Sequence, residues 1–140
     1  MNKMIARFPE QLEEALNIAA KIDLKKHGAP YRSVLISGMG GSGIGGNFLQ
    51  EFVRPYCKLP VFVSKGYQAP AWANKYTLAI CSSYSGNTEE TLSTFHQLLE
   101  TGAKIVCIAS GGKLIELAKA HGLDYVQLPT GWSSPRACLG

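Results

Sequence analysis

Ser33-Val-Leu-Ile-Ser-Gly-Met-Gly-Gly-Ser-Gly43 is the stretch on which the fold turns. Its first five residues centre on three consecutive large aliphatic side chains. A strand covered on both faces has this composition, whereas a half-exposed strand alternates. The run breaks abruptly into glycines, and the spacing predicts a helix from about Ser42 to Val53, with Pro55 after it. Gly38, Gly40 and Gly43 match a GxGxxG turn between strand and helix. Such a turn lets backbone N–H groups approach an anion while the helix N-terminus adds partial positive charge. Ser42 adds a hydroxyl donor there. A tight strand-to-helix turn with no ligand gives the same pattern, so this loop alone decides nothing.

Working outward, strand-like runs recur at Pro60–Ser64, Tyr76–Cys81, Lys104–Ala109 and Leu123–Leu128. Between them, Glu89–Thr101 reads as a helix with Leu92, Phe95, Leu98 and Leu99 on one face and Gly102 as its C-cap. Gly112–His121 reads as another. Ahead of the first strand, Leu12, Leu16, Ala19, Ala20 and Ile22 recur at helical spacing within Phe8–Lys26. Glu10, Glu13 and Glu14 lie early in that helix and Lys21, Lys25 and Lys26 late, as the helix dipole favours; His27-Gly28-Ala29-Pro30 ends it. Continuous apolar strands alternating with amphipathic helices specify a Rossmann-like α/β three-layer sandwich: a parallel sheet flanked by helices, with right-handed crossovers. Order 2-1-3-4-5 suits five strands and places the switch point between strands 1 and 3. The expected organisation is a single domain over residues 1–140: an N-terminal helix and connection to residue 30, a core over 31–128, and a tail over 129–140.

At 140 residues, with 46% hydrophobic and 17% charged, the chain supports one buried core and no long disorder. The net charge of +4 is spread thinly, with no basic stripe interleaved with aromatics, so nucleic acid is not the expected partner. Cys57, Cys81, Cys107 and Cys138 form no metal-ligand spacing. Cys81 and Cys107 sit within apolar runs, as small hydrophobes do. Without a signal peptide or an apolar run long enough to span a bilayer, the expected compartment is the cytoplasm, with no membrane partner.

A second loop changes the weighing. Ser82-Ser-Tyr-Ser-Gly-Asn-Thr88 follows the third strand and precedes a helix opening Glu89-Glu90. Thr88 suits an N-cap, but a cap needs neither three hydroxyls nor a glycine. A phosphate group uses them all, because each of its oxygens accepts charge-assisted bonds from neutral donors. Two donor-rich loops at neighbouring strand ends form one site for one anion. Arg136, held in the Pro-flanked tail, lies on the same carboxyl-end side of the sheet and can stabilise negative charge, or can simply be solvated. A dinucleotide site would need an acid at the end of strand 2. Ser64-Lys65-Gly66 stands there, which argues against NAD and leaves NADP as a weaker alternative. His27 and His121 fall near helix C-termini and His96 on a solvated helix face, so none is placed in the site.

These motifs are familiar together. Gly38-Met-Gly-Gly-Ser-Gly-Ile-Gly-Gly46, Ser82-Ser-Tyr-Ser-Gly-Asn-Thr-Glu-Glu-Thr-Leu92 and Pro135-Arg-Ala-Cys-Leu-Gly140 closely resemble the bifunctional phosphoglucose/phosphomannose isomerases, of the sugar isomerase (SIS) superfamily. Gly66-Tyr67 with Pro70-Ala-Trp72, and Ser110-Gly-Gly-Lys-Leu114, resemble them too. The resemblance runs from about Tyr31 to the end of the chain. It implies an SIS sandwich binding the phosphate of glucose 6-phosphate, mannose 6-phosphate or fructose 6-phosphate, and aldose–ketose isomerisation with no metal or nucleotide cofactor. It puts the phosphate contacts on Gly40, Gly41, Ser42, Ser83, Ser85 and Thr88, and the catalytic enediolate-stabilising Arg on Arg136. It also implies a homodimer. The family's general base Glu, ring-opening His and Lys belong to a second SIS domain and map onto no residue here. The chain is therefore expected to be the inactive phosphosugar-binding half of an isomerase, with a phosphosugar-sensing module as the alternative. Asn47 stands where the family usually has Asp.

Overall fold

The computed structural model describes residues 6–24 and 30–131. In chain order these form α1 (Phe8–Lys21), β1 (Ser33–Ser37), α2 (Gly40–Val53), β2 (Val61–Ser64), β3 (Thr77–Ser82), α3 (Glu89–Thr101), β4 (Lys104–Ala109), α4 (Gly112–Ala120) and β5 (Asp124–Gln127). The five strands make one parallel sheet in the order β2-β1-β3-β4-β5, as the alternating pattern requires. Expected and observed element ends agree within two residues except in α1.

Successive strand residues point to opposite faces, which sorts the layers. Leu35, Ala79, Cys81, Ile105, Cys107 and Ala109 pack with Phe95 and Leu98 of α3 and Leu114, Ile115 and Ala118 of α4. Ile36, one residue from Leu35, faces the other way: a Cβ on Gly46 of α2 would lie 2.9 Å from its Cγ2. Thus α2 covers the face opposite α3 and α4, the layering that right-handed crossovers impose when the chain reverses direction at β1. Cys81 and Cys107 are free thiols paired in the β3–β4 register and buried in the core, as expected of small hydrophobes. Burial raises both thiol pKa values, Cys107's to about 12. At the far end of the sheet, Lys104 Nζ lies 2.7 Å from Asp124 Oδ2 and ties the edge strand β5 to β4.

The first helix corrects its expectation. It ends at Lys21, and Ile22 is extended (φ −74°, ψ 122°), while Lys25 and Lys26 lie outside the described residues. Ile22 N–H closes a short bond to the Ala19 carbonyl, and Asp23 follows where the helix dipole disfavours an acid. The apolar stripe is also turned outward. Gln11 is buried and Ala15 and Ile18 are half-buried, whereas Leu12 and Leu16 are exposed.

Candidate functional site

The β1–β3 register pairs Ser37 with Cys81, so the two donor-rich loops leave the sheet side by side. They touch at once: a Cβ on Gly38 would lie 3.0 Å from the Ser82 carbonyl oxygen. The first loop is shorter than the sequence suggests, because α2 begins at Gly40 and its first turn contains Gly41 and Ser42. Gly40 takes φ +52°, and Met39 stands at the N-cap with no side-chain cap bond. The first backbone bond runs from Gly43 N–H to the Met39 carbonyl at 3.1 Å. The N–H groups ahead of it belong to the orphan set that every helix start carries.

Thr88 occupies the N-cap position of α3, yet its hydroxyl caps nothing there. It sits 2.8 Å from Ser83 Oγ instead. Ser83 Oγ also accepts from Gly86 N–H at 3.1 Å, and Ser85 Oγ accepts from Asn87 N–H at 3.2 Å. Ser83 is 2% exposed, Thr88 and Ser42 are half-buried, and Ser85 is exposed. The hydroxyls thus knit the loop into a rigid turn while the first turn of α3 stays uncapped. Two uncapped helix starts at adjoining strand ends concentrate backbone donors and two positive dipole ends.

What holds the Ser-rich loop is the next helix. Gly86 takes φ +74° and runs so close to Gly111 that a Cβ would collide with the Gly111 carbonyl. Across that contact, Lys113 N–H donates to Asn87 Oδ1 and Leu114 N–H to the Gly86 carbonyl, both at 2.9 Å. Ser110 donates to the Tyr84 carbonyl through both its N–H (2.8 Å) and its hydroxyl (2.6 Å). The Ser110-Gly-Gly-Lys-Leu114 stretch therefore serves as a buttress, and the start of α4 is filled by the loop it supports.

The Gly66-Tyr67…Trp72 stretch is a second strap. Ser93 Oγ and Gln97 Nε2 donate to the Tyr67 carbonyl (2.8 and 2.6 Å), Thr94 Oγ1 donates to Gly66, and Ala69 N–H donates to Gln97 Oε1. This brings Tyr67 to Glu89 and Glu90: the charge of Glu90 foremost, then burial and Glu89, raises the phenol's pKa above 10.0. On the other side, Lys65 Nζ lies 2.6 Å from Asn47 Oδ1, and its Cε lies 3.1 Å from the position of a Cβ on Gly43. Sequence reasoning weighed Lys65 only as a nucleotide-phosphate ligand. Its position at the end of the strand beside β1 was the signal that it flanks the Gly-rich turn. Both straps needed tertiary contacts to be seen.

Arg136 lies outside the described residues, as do His27 and Cys138. His96 is exposed in the middle of α3, and His121 is exposed at the end of α4, away from both loops. Among the described residues no group of three or more His, Cys, Asp or Glu is placed to hold a metal ion, and no helix is long and apolar enough to cross a membrane.

The fold is of the SIS type found in phosphosugar isomerases of known structure. Tagatose-6-phosphate ketose/aldose isomerase from Escherichia coli superposes with a TM-score of 0.64 at 13% identity, over 99% of this chain and 39% of that one. The sugar isomerase domain of the RpiR transcription factor from Sphaerobacter thermophilus gives 0.58 at 16% identity, over 99% and 78%. No family model matches the chain. By sequence it is homologous along its whole length to the bifunctional phosphoglucose/phosphomannose isomerases. It is 45% identical over 140 residues to the one from Caldicellulosiruptor bescii, covering 100% of this chain and 41% of that protein. The Aquifex aeolicus protein is 44% identical over 120 residues, 84% of this chain and 37% of that protein. The chain thus spans about two-fifths of the length of these curated relatives.

Proposed function

We propose that this chain is the phosphosugar-binding SIS domain of a cytoplasmic glucose-6-phosphate/mannose-6-phosphate isomerase that forms fructose 6-phosphate and acts as a homodimer. The observation that carries the reading is the pair of uncapped helix starts at adjacent strand ends, α2 after β1 and α3 after β3. A phosphoryl dianion there accepts bonds from the N–H groups of Gly40, Gly41 and Ser42, from the hydroxyls of Ser42 and Ser85, and from the Ser83–Thr88 hydroxyl pair, whose mutual bond leaves one proton to donate. The two helix dipoles offset its charge. The family resemblance assigns to Arg136 the stabilisation of the enediolate formed as a proton moves between C1 and C2. The base that moves the proton lies outside this chain, so the domain binds without turning over.

Titration calorimetry tests this. Fructose 6-phosphate is expected to bind and fructose to give no heat. Ser83→Ala and Ser85→Ala are each expected to cost about 1–3 kcal/mol of affinity, the usual penalty for a lost bond to a charged group. Equal affinity for the two sugars contradicts the proposal.

A further inference from the structure

The charges around the two uncapped helix starts do not balance for a phosphoryl ligand. Such a group carries about −1.5 to −2 at neutral pH, and each helix start offsets about half a charge. Glu89 and Glu90, in the first turn of α3, deepen the deficit. Neither loop, nor the helix that follows it, contains a Lys or Arg. A cation has to come from another element, and Lys65 is placed to supply it. Ser64 of β2 pairs with Ser37, and Gly38 N–H donates to the Ser64 carbonyl at 3.2 Å, so Lys65 leaves the sheet level with the Gly-rich turn. Its stem crosses the first turn of α2, where a Cβ on Gly43 would lie 3.1 Å from Lys65 Cε. The ammonium stands one C–N bond, about 1.5 Å, farther on. It donates to Asn47 Oδ1 at 2.6 Å, a neutral acceptor. Among the described residues Lys65 forms no ion pair.

We propose that Lys65 is the cation of the phosphate site: its ammonium rests on Asn47, and a bound phosphoryl group draws it back across Gly43 to the start of α2. This rests on the phosphosugar reading above and adds a charged ligand to its neutral donors. Asn47 lies one turn beyond Gly43 in α2, so the ammonium travels about one helical pitch, roughly 5 Å. A four-carbon stem with a rotatable head of three donors covers that distance without backbone movement. Gly43 keeps the path open. A Cβ there would press on Lys65 Cε and stand 2.7 Å from the Gly38 carbonyl oxygen. The exchange is also downhill. A hydrogen bond between two ions is about twice as strong as one between neutral groups, so a phosphoryl oxygen competes well with an amide acceptor. Asn47 holds the lysine near the Gly-rich turn without neutralising it.

Calorimetric titration with fructose 6-phosphate at two salt concentrations tests the assignment. Lys65→Met keeps the stem and removes the charge; affinity is expected to fall about tenfold at low salt, the usual worth of one bond to a charged group. Lys65→Arg should restore most of it. Raising sodium chloride from about 20 to about 500 mM should weaken the unsubstituted chain more than Lys65→Met, because screening removes the Coulombic part. Asn47→Ala distinguishes a ligand from a tie between β2 and α2. A tie predicts the same loss in Asn47→Ala as in Lys65→Met, whereas a ligand released from its resting place binds at least as tightly. Lys119→Met, which removes a cation beside Tyr125 in β5, controls for net charge and should change affinity less than about twofold. Unchanged affinity in Lys65→Met, or an equal loss in Asn47→Ala or Lys119→Met, overturns the proposal and leaves the phosphate site standing. An unsubstituted chain that gives no heat with fructose 6-phosphate overturns both.

Discussion

Three helices of this domain start at the carboxyl edge of the sheet without a side-chain cap of their own, and they meet that condition in two ways. The start of α4 is filled from within: Asn87 Oδ1 and the Gly86 carbonyl accept the N–H groups of Lys113 and Leu114. The starts of α2 and α3 are left uncapped, although Thr88 is correctly placed to cap α3 and turns to Ser83 instead. The difference teaches where the binding capacity of the fold lies. A filled helix start is a clamp that fixes the neighbouring loop. Two uncapped ones beside each other, held by that clamp, are the feature on which the proposed phosphate site rests.

The strongest way to break the clamp is Gly86→Val. It forces a β-branched side chain to φ +74° and into the Gly111 carbonyl. Urea denaturation should show a loss of about 3–5 kcal/mol, at the severe end for a single substitution. A loss under 1 kcal/mol would show that the close approach of the two loops is dispensable. Asn87→Ala removes only the side-chain bond to α4. It should cost about 1 kcal/mol by the same assay, the usual worth of a capping side chain. Fructose 6-phosphate affinity should fall less than with Ser83→Ala, because the clamp is loosened while the proposed phosphate site keeps its donors. The smallest change sharpens the other side. Thr91 Oγ1, in the first turn of α3, is buried without a hydrogen-bond partner. Thr91→Val keeps the shape, removes the unsatisfied hydroxyl and should raise stability by up to about 1 kcal/mol. A drop of that size would mean the hydroxyl has a role in the loop.

The two adjoining loops were more legible in the sequence than the clamp. Val34-Leu-Ile36 and the Gly-rich turn specified a doubly covered strand leading into a helix, and the order 2-1-3-4-5 followed from the alternation of elements. Ser83, Ser85 and Thr88 stood out because hydroxyls clustered before a helix have few other uses. The clamp was illegible because its parts are 25 residues apart: Gly86 and Gly111 acquire meaning only when β3 and β4 lie side by side. The pairing of Lys65 with Asn47 was hidden for a similar reason, since the two come from different elements. The inner face of α1 was unreadable from periodicity, which gave the greater weight to Leu12 and Leu16, the residues that the domain leaves exposed. The same excess marks α2, where Phe48 and Phe52 are exposed.

Backbone amide chemical shifts during titration with fructose 6-phosphate test the account most directly. The account predicts saturating shifts at Gly41 and Ser42 in α2 and at Glu89 and Glu90 in α3, with much smaller ones at Lys113 and Leu114 in α4, whose N–H groups are already taken. Shifts confined to α4, or perturbation of α2 without α3, would contradict it.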